Sequence, residues 1–259
     1  MFSIPFEPQL FGFTLPVHLI LEYLSVFVGF RYYLYLRKNG DDHISSGNRL
    51  SIILGAIIGA FLGSRLMGFL EHPALPPGPD VIWYLMNNKT IMGGLFGGLI
   101  GVETAKKMIG ETRSSGDLFT LPLILSIFIG RIGCFLSGTT EFTYGSETTF
   151  FTGMDLGDGL LRHPTSLYEI IFLILLFSII RRVGRNSALL QEGDLFKAFM
   201  IIYFGFRFFI EFIKPNVFFV TGLSSIQWLC IACWGYYVQT IIKAVLNARK
   251  TVHLLRLHH

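Results

Sequence analysis

Residues Gly130–Gly145, GRIGCFLSGTTEFTYG, carry an arginine, Arg131, well inside a strongly apolar run that then gives way to a polar loop. Taking a guanidinium to the middle of a bilayer costs roughly 2.5–3.5 kcal/mol on insertion scales, so such a charge persists where it faces a bundle interior and an anionic partner. One reading makes Arg131 a functional group inside a transmembrane bundle; the plainer one makes it a snorkelling side chain. A second arginine at similar depth, Arg207, favours the first.

The rest of the chain has the composition such a helix needs. Of its 259 residues 52% are hydrophobic and only 15% charged, and the mean hydropathy is +0.56. That is too apolar for an ordinary soluble domain and too interrupted for a single anchor, so the expected class is all-α and polytopic. A net charge of +4 would point to nucleic acid in a soluble domain. Here most Lys and Arg fall on one side of a membrane, which makes acidic headgroups the partner and excludes nucleic acid. Cys134, Cys230 and Cys233 form no disulfide framework, and the C-x-x-C of the last two lies in an apolar run, as two small residues on one helix face. No cofactor and no metal site are expected. The N-terminus shows neither a basic n-region nor a small-residue cleavage site, so no cleaved signal peptide is expected.

Outward from Arg131, the hydrophobic runs predict seven spans: about Leu15–Leu36, Leu50–Leu70, Thr90–Met108, Asp117–Leu136, Thr165–Ile180, Leu195–Ile213 and Leu223–Val245. The whole chain, 1–259, reads as one transmembrane helical domain. Residues 1–14 form an interfacial segment, 137–164 a cap on the outer face, and 246–259 a cytoplasmic tail. Gly55, Gly59 and Gly63 predict a close-packing face; Gly93, Gly97 and Gly101, with Gly94 and Gly98, predict another or a backbone that approaches a ligand. The prolines between Glu71 and Lys89 cannot lie inside a helix. Loops one, three and five and the tail carry Arg37, Lys38, Arg49, Lys106, Lys107, Arg113, Arg181, Arg182, Arg185, Arg249, Lys250 and Arg256, against Lys89, Arg162 and Lys214 in the others. That bias predicts the N-terminus outside and the C-terminus in the cytoplasm.

Counted along a helix at about 1.5 Å per residue, Arg131, Arg207 and Arg65 each lie roughly 18–22 Å from the inner end of their spans. Glu211, four residues after Arg207, is expected on the same helix face and paired with it; Glu169 and Glu22 lie one to two turns into their own spans. Guanidinium forks bind phosphate oxygens bidentately, so the layer suits a phospholipid headgroup, with a wholly structural ion-pair network as the alternative.

These residues also resemble a known family. GRIG with its glycine-containing loop, then RHPTSLYE (Arg162–Glu169), then RFFIEFIKP (Arg207–Pro215), in this order, resemble the prolipoprotein diacylglyceryl transferases. The resemblance implies seven spans in the bacterial cytoplasmic membrane and transfer of the diacylglyceryl group of phosphatidylglycerol to the lipobox cysteine of a prolipoprotein. It implies that Arg131 holds the phosphate, that Arg207 and Glu211 fill the sixth-span pair, that Arg65 fills a second-span arginine, and that His163, Pro164, Leu167, Tyr168 and Glu169 fill the motif opening span five. Arg162 joins the phosphate-binding candidates.

The departures are specific. Cys134 and Ser137 stand where the family has asparagines, Phe96 where it has a histidine before Gly-Gly, and Glu141 comes later than the family's glutamate. Aligned from His18, the first-span tyrosine falls on Ile20. With Phe96 in the histidine's place, the candidate bases for deprotonating a thiol are His163, Glu141 and Glu169. Cys134, one turn from Arg131, is either a nucleophile or a small residue filling an asparagine's space. A specialised transferase with another acceptor, a non-catalytic lipid-binding relative and a structural or transport subunit are the rival readings.

Overall fold

Pro16 fixes the entry into the first long helix: its ring suits a helix start, and α1 runs Val17–Asn39 to a basic last turn, Arg37 and Lys38. The computed structural model describes residues 4–40, 42–71, 80–185, 190–216 and 222–257. Among these, eight further helices follow: α2 Ser46–Glu71, α3 Asp80–Asn87, α4 Ile91–Ile109, α5 Asp117–Ser137, α6 Thr165–Arg185, α7 Asp194–Ile210, α8 Ser225–Tyr236 and α9 Val238–Leu257. Two short antiparallel hairpins, β1 Gln9–Leu10 with β2 Phe13–Thr14 and β3 Met154–Asp155 with β4 Leu161–Arg162, make up the strands.

A helix lies over each predicted span. α1, α2 and the helix from Asp117 to Thr140 are long and apolar enough to cross a membrane, and a fourth crossing forms if α8 and α9 count as one. At about 1.5 Å per residue the 23 residues of α1 reach about 34 Å, against a hydrocarbon core of about 30 Å. The described residues fall into two compact units. The first comprises Met1–Leu50, Gly110–Phe199 and Phe209–Asn216; the second comprises Ser51–Ile109, Met200–Phe208 and Val217–His259.

In the first unit α1 and α5 run antiparallel, and α6 packs on α5. Contact is close because small residues face each other: a Cβ on Gly29 would collide with Ser126 Oγ, which instead donates to Ser25 O at 3.0 Å. In the second unit the glycine repeats mesh. Gly55, Gly59 and Gly63 lie against Gly101, Gly97 and Gly93, and a Cβ at any of them would strike facing backbone. The repeat in α4 therefore serves helix packing.

One loop gains a helix, and two expectations change. The stretch between Glu71 and Lys89 contains α3, eight residues that begin after the prolines; the prolines themselves, Pro73–Pro79, lie outside the described residues. The seventh span is not one helix: it bends by 66° between Tyr236 and Val238, at Tyr237, whose φ −95° and ψ 14° belong to the bridge region rather than the helix. The sixth span ends as an α-helix at Ile210. Pro215 has no N–H to bond Glu211 O in the i→i+4 pattern. That carbonyl accepts instead from Lys214 N at 3.4 Å and from Asn216 Nδ2 at 3.3 Å, so Glu211–Ile213 tightens into a 3-10 turn.

Candidate active site

The C-terminal end of α5 is shaped by two glycines with different tasks. Gly133 lets α1 approach, since a Cβ there would lie 3.2 Å from Leu21 Cβ and 3.3 Å from His18 Cδ2. Gly138, at φ +56°, ends the helix in a conformation that side chains rarely adopt. A Cβ on it would collide with Leu156 O, and the next residue, Thr139, donates its N–H to that same carbonyl at 3.0 Å. The loop is thereby folded back over the helix end and Glu141 is delivered to α1.

The cluster that results lies wholly within the first unit. Arg131 Nε pairs with Glu169 Oε1 at 2.9 Å, the carboxylate being 2% exposed. Arg131 Nη1 donates to Cys134 Sγ at 3.7 Å. The same sulfur lies 3.6 Å from His18 Nε2, and His18 Nδ1 lies 3.3 Å from Glu141 Oε1. Carboxylate, imidazole, thiol, guanidinium and carboxylate thus follow one another across α1, α5 and α6. A cavity of about 270 Å³ adjoins it, lined by His18, Ser137, Thr140 and Glu141 and by residues before α1, including Glu7.

Four of the predicted site residues, Arg131, Cys134, Glu141 and Glu169, therefore meet. The fifth member, His18, was not among them. It lies 116 residues from Cys134 in sequence; the available signal was a lone imidazole in the first turn of a largely apolar helix, just after Pro16.

The other candidates occupy different surroundings. His163 Nδ1 lies 3.2 Å from Tyr168 Oη, which also bonds Thr152 Oγ1, and Gly145 N–H donates to His163 O at 2.9 Å. Arg162 is spoken for by Asp158 at 2.7 Å and stacks over the Tyr144 ring; its hydrogen bond holds the Asp158 carboxyl below the usual range. The loop after α5 contains an ordered hairpin in which Asp155 Oδ1 accepts from the N–H groups of Gly157 and Gly159. Glu211 is fully buried with Lys214 Nζ at 3.8 Å and Asn216 bonded to its carboxylate. In the second unit Arg207 is buried on α7, and Arg65 donates to Asn88 O at 3.4 Å with its guanidinium over Phe61. Phe96, in the histidine's place, packs near Phe204 with ring centroids 6.5 Å apart. Cys230 and Cys233 are buried thiols on α8.

Apolar helices of membrane-crossing length with a charged, thiol-containing cluster at one end define a membrane protein with a built polar site. A family profile described as prolipoprotein diacylglyceryl transferase matches residues 7–242. The chain is 31% identical over 199 residues to the phosphatidylglycerol–prolipoprotein diacylglyceryl transferase of Wolbachia pipientis wMel, spanning 70% of this chain and 72% of that one. It is 34% identical over 194 residues to the enzyme of that name from Nitratidesulfovibrio vulgaris strain DP4, spanning 67% and 66%. With that of Streptococcus mutans strain UA159 it shares 30% over 215 residues, spanning 77% and 80%. The chain belongs to the prolipoprotein diacylglyceryl transferase family and is a transferase of that type. These comparisons lend nothing to the non-catalytic lipid-binding reading.

Proposed function

We propose that this chain moves the diacylglyceryl group of phosphatidylglycerol onto the lipobox cysteine thiol of a prolipoprotein, in a bacterial cytoplasmic membrane that it crosses seven times with its N-terminus outside. In this reading the chain works as one transmembrane domain with an interfacial N-terminal segment, an outer cap and a cytoplasmic tail. The observation that carries it is the Arg131–Glu169 pair at 2.9 Å beside a His18–Glu141 pair at 3.3 Å.

The chemistry follows from those positions. Glu169 fixes the guanidinium in place to meet phosphate oxygens. His18, oriented through Nδ1 by Glu141, takes the acceptor's S–H proton at Nε2, because the thiolate is the nucleophile. The thiolate attacks the glyceryl CH2 next to the phosphate; the S–C bond forms, the C–O bond breaks and glycerol phosphate leaves with its growing charge against Arg131. His18 supplies the base that Phe96 cannot. Arg207, Glu211 and Arg65 keep the lipid-binding roles that the resemblance gives them, and Arg162 a supporting one in the cap.

The test is release of glycerol phosphate from headgroup-labelled phosphatidylglycerol bilayers containing the purified protein, with and without a lipobox peptide. Peptide-dependent release that is lost in Arg131→Ala is the expected result. Equal release with and without peptide, or none, would overturn the assignment of the acceptor.

A further inference from the structure

The transfer just described needs an anchor for phosphate and a base for an incoming thiol, yet the cluster holds a thiol of its own on that base. Cys134 Sγ, on a residue only 8% exposed, lies 3.6 Å from His18 Nε2. Glu141 sits 3.3 Å from the other ring nitrogen, and Arg131 Nη1 donates to the sulfur at 3.7 Å. Nucleophile, base and orienting carboxylate in sequence is the arrangement of an activated thiol. A residue that only filled an asparagine's space would need none of these three partners.

The choice of electrophile follows from what each product can do. A glycerophospholipid whose phosphate lies on Arg131 presents two kinds of carbon to the sulfur: the glyceryl CH2 bearing the phosphate, and the ester carbonyls on the other two glycerol carbons. Attack on the CH2 would leave a thioether, from which a thiolate is a poor leaving group, so the enzyme would alkylate itself and stop. Attack on a carbonyl gives a thioester, which turns over.

We propose that Cys134 is an acyl-transfer nucleophile that takes a fatty acyl group from an ester of the glycerophospholipid held at Arg131, giving an acyl-enzyme thioester and a lysophospholipid. His18 Nε2 removes the Sγ proton, the S–C bond forms at the carbonyl, and the carbonyl oxygen takes up the electron pair beside the Arg131 guanidinium. The tetrahedral species collapses by breaking the ester C–O bond, and the proton on His18 passes to the departing glyceryl oxygen. Water is the second substrate. The cavity of about 270 Å³ beside His18 and Glu141 has room for several molecules at about 30 Å³ each. His18 deprotonates one as it adds to the thioester, the C–S bond breaks, the proton returns to sulfur and a fatty acid leaves. The activity shares its lipid site with the diacylglyceryl transfer and rests on the reading that Arg131 anchors a phospholipid.

Full-length protein in vesicles of phosphatidylglycerol with labelled acyl chains, without peptide, would be quenched in acid and its Cys134 peptide analysed by mass spectrometry, with lysophosphatidylglycerol counted in parallel. The expected result is a hydroxylamine-labile acyl group on Cys134 and matching lysolipid. The label should vanish in Cys134→Ala, form about 10²-fold or more slowly in His18→Ala, and persist in Cys233→Ala. Folding of each variant is checked by its unfolding temperature. A preparation that releases glycerol phosphate with lipobox peptide but never acylates Cys134 overturns the proposal and leaves the transferase reading standing. A hydroxylamine-stable diacylglyceryl adduct also overturns it, by showing attack at the CH2; absence of both products overturns both readings.

Discussion

Two charged clusters occupy opposite ends of α1 in the first unit, and they are built on different rules. At the C-terminal end Arg49, 2% exposed, is bonded through both its Nε and its Nη2 to Asp42, and its Nη1 donates to Ser115 O at 3.4 Å. Asp42 also accepts from Arg37 at 3.0 Å, while Glu111 accepts from Arg113 and from Asn48. There the guanidinium donors meet carboxylates and carbonyls, most of the partners are neighbours in sequence, and no thiol or imidazole is drawn in. At the N-terminal end the partners come from three helices and a loop, a thiol stands between imidazole and guanidinium, and a cavity opens beside them. A saturated network holds segments together; a cluster with reactive atoms facing a cavity can take a substrate.

That contrast can be broken or sharpened by substitution. His18→Ala should cut peptide-dependent glycerol phosphate release by about 10²–10⁴-fold with little change in unfolding temperature, since the ring is partly open to the cavity. Arg131→Ala should cost about 10²–10³-fold in release and also about 3–5 kcal/mol of stability, because the buried Glu169 carboxylate loses its guanidinium. Replacing both with apolar residues, Arg131→Met with Glu169→Leu, should recover most of the stability and none of the activity. Recovery of activity would reduce the pair to a structural tie.

Gly133→Val tests the placement of His18 without replacing any reacting group. The added methyls meet Leu21 and His18, so release should fall by up to about 10²-fold through misplacement, alongside about 1–3 kcal/mol of overpacking strain. At the other end, Arg49→Met should destabilise by about 3–5 kcal/mol and leave turnover per folded molecule unchanged within about twofold, measured by activity titrated against folded fraction. A large loss of turnover there would erase the distinction between the two ends.

The smallest effect is a pH dependence. Hydrogen bonds from Arg113 and Asn48 lower the Glu111 carboxyl from 4.5 to about 2. Burial pushes Asp42 up, but the hydrogen bonds from Arg49 and Arg37 outweigh it, so Asp42 also titrates below its ordinary value. A carboxyl depressed on folding contributes stability that is full above its unfolded pKa and lost as pH falls through the folded one. Unfolding temperature in detergent should therefore be flat from neutral pH down to about 4.5 and decline toward about 2, with a shallower decline in Glu111→Gln.

What sequence alone determined here are the properties carried by local pattern. Apolar runs with basic flanks put a helix over each expected span, because helix length in lipid is a matter of composition, but they gave neither α3 nor the run of α9 to Leu257. Glycines at four-residue spacing marked the α2 and α4 faces that do mesh, because helical periodicity places i and i+4 on one side. An arginine deep in an apolar run, Arg131, announced a polar interior through its cost alone. Local pattern did not give the end of the sixth span, where Pro215 withholds one N–H and Glu211–Ile213 tightens into a 3-10 turn. Only the tertiary structure decided the site. His18 and Glu141 carry no mutual signal across 123 residues, and His18 meets Cys134 where Gly133, lacking a Cβ, lets α1 lie close. Glu141 reaches His18 only because Gly138 turns the chain back, and neither close approach is written in the residues it brings together.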